Sequence, residues 1–132
     1  MRELRGRWRV ERTLRDAELG EGRFRGSAAI EPRGGVLAWI EEGRLTLGGY
    51  DGPARRELLL EPDGAAWQVR FADGRPFHAL DLRDGACAVE HLCSADRYDG
   101  EFRLDGPDAF EVRWRVRGPA KAQELRARYE RA

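Results

Sequence analysis

Both histidines and both cysteines of this chain fall between Phe71 and Tyr98, and with Tyr98 they are the groups best able to do chemistry. His78 and His91 are of the one residue type that titrates near neutrality, so a facing pair can share a proton, hold a polar ligand atom or serve as base and acid. As a binding constellation, His78, His91, Tyr98 and an inward Arg12 would be the polar contacts of a mostly apolar cavity walled by Trp67 and Phe71, the usual make-up of a small-molecule site. As a structural pair, the two imidazoles would satisfy each other, Tyr98 or a water inside the core. A metal would take His78, His91 and Cys93, with Cys87 too far along the strand to join them. A catalytic version would use His91 as base with Tyr98 or Cys93, but no nucleophile motif, Gly-rich phosphate loop or paired carboxylate accompanies it. Cys87 and Cys93, six residues apart on one strand, are separated by about 20 Å and are expected as free thiols.

What positions these groups is a series of Asp-Gly dipeptides between alternating apolar runs, the strongest short-range hairpin signal. A loop at Asp84-Gly85 pairs Leu80 with Val89 and His78 with His91, and puts His78, Leu80 and Leu82 on one face with Cys87, Val89, His91 and Cys93. A loop at Asp73-Gly74 pairs Phe71 with Pro76, Val69 with His78 and Trp67 with Leu80. A loop at Asp63-Gly64 pairs Leu60 with Trp67 and Leu58 with Val69. The three registers agree on one buried face, which a one-residue slip would turn outward.

The rest of the chain alternates in the same way. Trp8, Val10, Arg12 and Leu14 share the inner face of a first strand, and Phe24, Gly26, Ala28 and Ile30 that of a second. From Val36 to Leu47 the odd set, with Trp39 and Glu41, reads as one long strand bent at Gly43 or two short ones, although Val36, Ala38 and Ile40 are apolar too. Gly48 to Pro53 reads as a long loop. Tyr98, Gly100, Phe102 and Leu104, then Phe110, Val112, Trp114 and Val116, then Leu125, Ala127 and Tyr129 complete the inner surface. No helical period is sustained; the only candidates are a turn at Arg2 to Arg5 and the stretch Arg12 to Leu19. About ten meandering antiparallel strands would leave open edges unless the sheet closes, so the expected fold is all-β, an up-and-down barrel of about 8–10 strands whose last strand meets the first. Arg12 and Glu41, inward charges, are expected to pair under its rim.

At 132 residues the chain suits a single domain spanning residues 1–132, with a core that needs no disulfide or metal. Its 24 basic residues, all arginine but Lys121, balance 24 acidic ones, which argues against a nucleic-acid or anionic-membrane partner. Arg7, Arg9, Arg113, Arg115 and Arg117 alternate outward, interrupted by Glu11 and Glu111, as a solvated face. Met1 to Arg5 lacks the apolar core of a signal peptide and no run is long enough to span a membrane as a helix, so a cytoplasmic location is expected.

Gly6-Arg7-Trp8 resembles the Gly-x-Trp signature of the calycins, the group of lipocalin and fatty-acid-binding barrels. Together with Leu47-Gly48-Gly49-Tyr50, the run from Arg70 to His78 and Val89-Glu90-His91-Leu92-Cys93, the chain resembles an uncharacterised bacterial family of unknown function along its whole length. The resemblance implies a calycin-like barrel and no established activity. It also implies an arginine of the last strands, Arg126 or Arg128, packed over Trp8. Haem-binding calycins similar to nitrobindin draw their axial histidine from near the C-terminus; this chain has none after His91, which argues against haem held in that way. An Arg12 carboxylate anchor would be similar to that of fatty-acid binders.

The sequence therefore supports a barrel that binds a small, largely apolar molecule, against a small isomerase- or cyclase-like barrel enzyme using His78 and His91, or a protein-interaction domain with a filled core. It names no cofactor, ligand or oligomeric state. An interior cavity of roughly 300 Å³ or more would favour the first two and a packed core the third.

Overall fold

The structure is a computed structural model and describes residues 4–132. Ten antiparallel strands follow one another: β1 (Gly6–Asp16), β2 (Gly20–Arg33), β3 (Val36–Leu47), β4 (Tyr50–Asp63), β5 (Ala66–Phe71), β6 (Pro76–Leu80), β7 (Ala86–Cys93), β8 (Asp96–Leu104), β9 (Ala109–Gly118) and β10 (Lys121–Arg131). They form one sheet in the order β6-β5-β4-β3-β2-β1-β10-β9-β8-β7, an up-and-down barrel in which the last strand pairs with the first. Closure is nearly complete. Only β6 and β7, the two edges of the sheet, share no ladder, so the barrel has one seam.

Alternation sets the core as expected. Trp8, Val10, Phe24, Ala28, Ile30, Leu58, Leu60, Val69, Leu80, Phe102, Phe110, Val112, Ala127 and Tyr129 are all buried. In β3 the odd set points in: Leu37, Trp39 and Glu41 are buried, and the strand runs unbroken through Gly43. Gly43 faces Gly26 of β2, where a Cβ on either residue would come within 2.3 Å of the other strand's backbone. Only a pair of glycines permits that approach, which lets β2 and β3 bend together around the barrel. The outward arginines are exposed, several against carboxylates, as in Arg7–Glu31, Arg9–Glu130 and Arg115–Glu124.

The turns revise the registers. Asp63 pairs with Ala66 around Gly64 and Ala65, so Leu60 meets Val69 and Leu58 meets Phe71. This is two residues from the expected pairing and leaves every facing unchanged. After Asp73-Gly74, Val69 meets His78 and Trp67 meets Leu80 as expected, but Pro76 meets Arg70, because Phe77 is the extra residue of a β-bulge. The Asp84-Gly85 hairpin does not form: the amide of Gly85 donates to the Leu82 carbonyl (3.0 Å) in a turn, and the Gly85 carbonyl is taken by Leu104 of β8 (2.8 Å). His78 and His91 are therefore not ladder partners; His91 pairs with Tyr98.

The long loop expected at Gly48 to Pro53 is a two-residue turn, Gly48-Gly49, after which β4 begins at once. Arg12 to Asp16 is strand rather than helix, ended where the Asp16 carboxylate accepts from the amides of Glu18 (2.8 Å) and Leu19 (2.9 Å). The turn expected at Arg2 to Arg5 falls partly outside the described residues.

Candidate functional site

The barrel's ends differ. At the end holding the β2–β3, β4–β5 and β8–β9 turns, Leu4 and Trp8 seal the interior: the Trp8 Nε1–H donates to the Leu4 carbonyl (3.0 Å) and the indole meets Phe110 edge-on at 4.8 Å. The guanidinium of Arg131, rather than Arg126 or Arg128, lies 4.2 Å from the Trp8 ring centroid. Register decides this, since Arg131 is the residue of β10 directly across from Trp8. At the other end the inward residues Leu14, Leu45, Ala54, Phe71, Phe77, His91, Tyr98, Trp114 and Leu125 are only half-buried, and they form a mouth.

Under that mouth lies a buried polar knot. Glu41, 1% exposed, accepts from Arg12 Nη2 (2.8 Å), Trp39 Nε1 (2.9 Å), Arg56 Nη2 (3.2 Å) and the hydroxyl of Tyr129. Arg12 Nη2 also donates to the Tyr129 oxygen (2.9 Å) and its guanidinium lies 5.1 Å from the centre of the Phe24 ring. Burial opposes the Glu41 charge, but Arg56, Arg12 and the donated hydrogen bonds outweigh it and hold the carboxyl at about 2. Burial and the adjacent Glu41 charge push the Tyr129 hydroxyl well above its ordinary value, so it stays a donor. The expected Arg12–Glu41 pair is present. Arg56, the second guanidinium, was missed, although a two-residue loop at Gly48-Gly49 places it directly across from Glu41.

Between knot and mouth sits a set of rings at the seam. Phe77, swung inward by the bulge, stacks on Phe71 (4.5 Å) and Trp114 (5.2 Å) and meets His78 (4.6 Å) and His91 (5.1 Å) edge-on. His91 also packs edge-on against Phe71 (5.6 Å) and Tyr98 (5.7 Å). Side chains thus close the seam that backbone hydrogen bonds leave open.

His78 is buried and its Nδ1 lies 2.9 Å from the Ala79 carbonyl. Burial depresses its pKa, helped by the proximity of His91 and Arg56. The histidines come together through Phe77 and not through a hydrogen bond to each other. Tyr98 sits at the rim, its oxygen 3.3 Å from Lys121 Nζ. Trp67 packs against the core near the sealed end, away from the other ligand-site residues named from sequence. Cys87 is half-buried and Cys93 is exposed at the end of β7, both free, so Cys93 does not share the interior with the histidines. Among the described residues, no three of His, Cys, Asp and Glu are grouped to hold a metal.

The enclosed space is small. A cavity of about 20 Å³, room for about one water molecule, is bounded by Arg12, Arg56, Tyr129, Phe77, His78 and Trp114 among others.

Fold and sealed end together define a ten-strand calycin-like barrel. The chain belongs to a family of unknown function (DUF6314), whose pattern it matches over residues 4–131. No curated protein matches it. Among solved structures it is similar to the S-type phycobiliprotein lyase CPES from Guillardia theta, at 9% identity and a TM-score of 0.69 over 98% of this chain and 88% of the other. It is also similar to a protein of unknown function from Nostoc punctiforme of the DUF3598 family, at 14% identity and a TM-score of 0.67 over 98% of this chain and 48% of the other, and so spans about half of that protein's length. At these identities the likeness is one of fold.

Proposed function

We propose that this protein binds a small molecule with a largely apolar body, admitted through the mouth beside the β6–β7 seam and held between the ring cluster and the Glu41 knot. The carrying observation is the contrast between the ends: one is sealed by Leu4, Trp8 and Phe110, whereas the other presents half-buried rings above guanidinium groups. A monomeric core has no use for Phe71, Phe77, Tyr98 and Trp114 left half-wet, since burying each would stabilise the fold further. A phycobiliprotein lyase built on this fold is in keeping with the reading, though the likeness extends to the fold alone.

A cavity of 20 Å³ holds no such ligand, so binding requires Phe77 to move. It sits in a bulge on an edge strand that hydrogen-bonds to only one neighbour, the part of a sheet that opens at least cost. Contacts would then come from Phe71, Tyr98, His78, His91 and Arg12. The small cavity also favours a second reading, a filled-core interaction domain.

Titration with N-phenyl-1-naphthylamine, a neutral fluorescent probe, separates the two. Saturable one-to-one binding with energy transfer from tryptophan is expected, weakened at least tenfold in His78→Leu or His91→Leu while both variants stay folded. No saturable binding would leave the filled-core domain.

A further inference from the structure

We propose that the outer wall of the barrel carries a binding site for a phosphate monoester, formed by Arg23, Arg113 and Arg126 around Thr13. It lies outside the interior and is independent of any ligand held there. The pattern of ion pairs carries it. Every other arginine from Arg7 to Arg131 pairs with a carboxylate. Arg23, Arg113 and Arg126 are exposed and have no ion pair or side-chain hydrogen bond among the described residues. The three are neighbours. Register places Arg113 of β9 directly across from Arg126 of β10, Arg126 across from Thr13 of β1, and Thr13 across from Arg23 of β2. Strands about 4.8 Å apart keep the two ends of this row within about 15 Å.

The rows on either side, about 7 Å away along the strands, are neutral. Toward the mouth Arg115, Glu124, Arg15 and Glu21 alternate in sign, and toward the sealed end Glu111, Arg128, Glu11 and Arg25 do the same. The pairs Arg115–Glu124, Arg15–Glu21, Arg128–Glu111 and Arg25–Glu11 satisfy both rows. Between them the row of Arg113, Arg126, Thr13 and Arg23 has no acid on these four strands, and Glu101, next to it on β8, is bound to Arg103 (3.2 Å). Like charges directly opposite, as in Arg113 and Arg126, destabilise a sheet unless an anion joins them. Three guanidiniums, charged at any ordinary pH, call for more than one negative charge. A phosphate monoester brings nearly two, with three oxygens that match arginine forks, and the exposed Thr13 hydroxyl, free of other bonds among the described residues, adds a donor. The carboxylates of the flanking rows confine the anion to one row, so a nucleic-acid duplex or an anionic membrane, which would cover all three, does not fit. Grooves lie on both sides of Arg126, one bounded by Gly100, Arg113 and Arg115 and the other by Thr13, Arg23 and Arg128, and give the body of an ester room beside its phosphate.

The test titrates methyl phosphate and methyl sulfate, alike in size but carrying about two charges and one, into the isotope-labelled full chain at pH 7.5 and low ionic strength, following the arginine Nε–H resonances. Methyl phosphate is expected to shift Arg23, Arg113 and Arg126 saturably and to bind at least tenfold more tightly than methyl sulfate. Arg126→Gln should weaken methyl phosphate at least tenfold, while Arg83→Gln, which removes an equally exposed charge beside the β6–β7 seam, should leave it unchanged. Both side chains are exposed, and unaltered melting curves would show that the variants are folded. A short glycine peptide around one phosphoserine identifies the source of the ester: binding at least tenfold tighter than methyl phosphate assigns a phosphorylated protein segment, and equal binding a free small ester. Absence of saturable shifts, equal binding of phosphate and sulfate esters, or equal weakening by the two variants would make the row a solvated face and overturn the proposal.

Discussion

Tyr129 donates its hydroxyl to Glu41 across the barrel interior, joining residues 88 apart in sequence. Glu41 has three further donors, so the two ends of this bond respond differently to mutation. Glu41→Ala leaves two guanidiniums without their anion and should cost about 3–5 kcal/mol in urea unfolding. Tyr129→Phe removes one donor of four and keeps the ring stacked on Phe110 at 4.4 Å, so about 1–2 kcal/mol is expected.

The same carboxylate sets the acid limit. Its folded pKa of about 2 lies below the ordinary carboxyl value of 4.5, so the stability it contributes is fully present above pH 4.5 and is lost as pH falls toward 2. The amount is about 3 kcal/mol. Unfolding curves from pH 5 to 2 should show this loss in the wild type and its absence in Glu41→Gln.

His78 governs a milder window. Burial depresses its pKa, so below its ordinary 6.5 the unfolded chain takes up a proton that the folded chain resists. Stability should fall as pH drops below about 6.5 and level off below the depressed value. His78→Leu should flatten that slope; a slope unchanged in the variant would assign it to another group.

At the sealed end, Trp8→Ala should cost about 3–5 kcal/mol because the indole is 2% exposed and fills the barrel floor. Arg131→Ala loses the cation over that ring and a bond to the Arg5 carbonyl (2.8 Å), for which about 1–2 kcal/mol is expected. Urea unfolding of both variants checks the order.

Facing was legible in the sequence because alternation survives even-numbered register errors: the Asp63-Gly64 turn came out two residues away and no side chain changed sides. The Glu41–Arg12 pair was legible because both charges fall on apolar faces. Arg56 lay within reach of the same reasoning, but Gly48-Gly49 was absorbed into a longer loop. The His78–His91 pairing was not legible, because it depended on one turn competing with non-local partners. Asp81 takes the Arg83 amide (3.1 Å), β8 takes the Gly85 carbonyl, and the Phe77 bulge shortens β6, so the two edges never zip. Nothing in an alternating pattern marks which ladder of a closing sheet will be left open.

That open ladder makes Phe77 the residue on which ligand binding turns. Its ring occupies the space above the Arg12–Glu41 knot, stacked on Phe71 and Trp114, and an incoming ligand must displace it and break those contacts. Phe77→Ala removes the ring in advance. The variant should be less stable, by about 2–3 kcal/mol since the side chain is half-buried rather than enclosed, while β5–β6 pairing persists because the bulge residue contributes no ladder partner. Affinity for N-phenyl-1-naphthylamine should rise at least tenfold, about 1.4 kcal/mol, because the displacement cost is gone before the ligand arrives. The association rate should rise as well, since entry no longer waits for the ring to swing out. Stopped-flow fluorescence reads both quantities. A variant that is destabilised yet binds no more tightly and no faster than the wild type would mean that Phe77 is core filling, and that the ring cluster is a plug with nothing behind it.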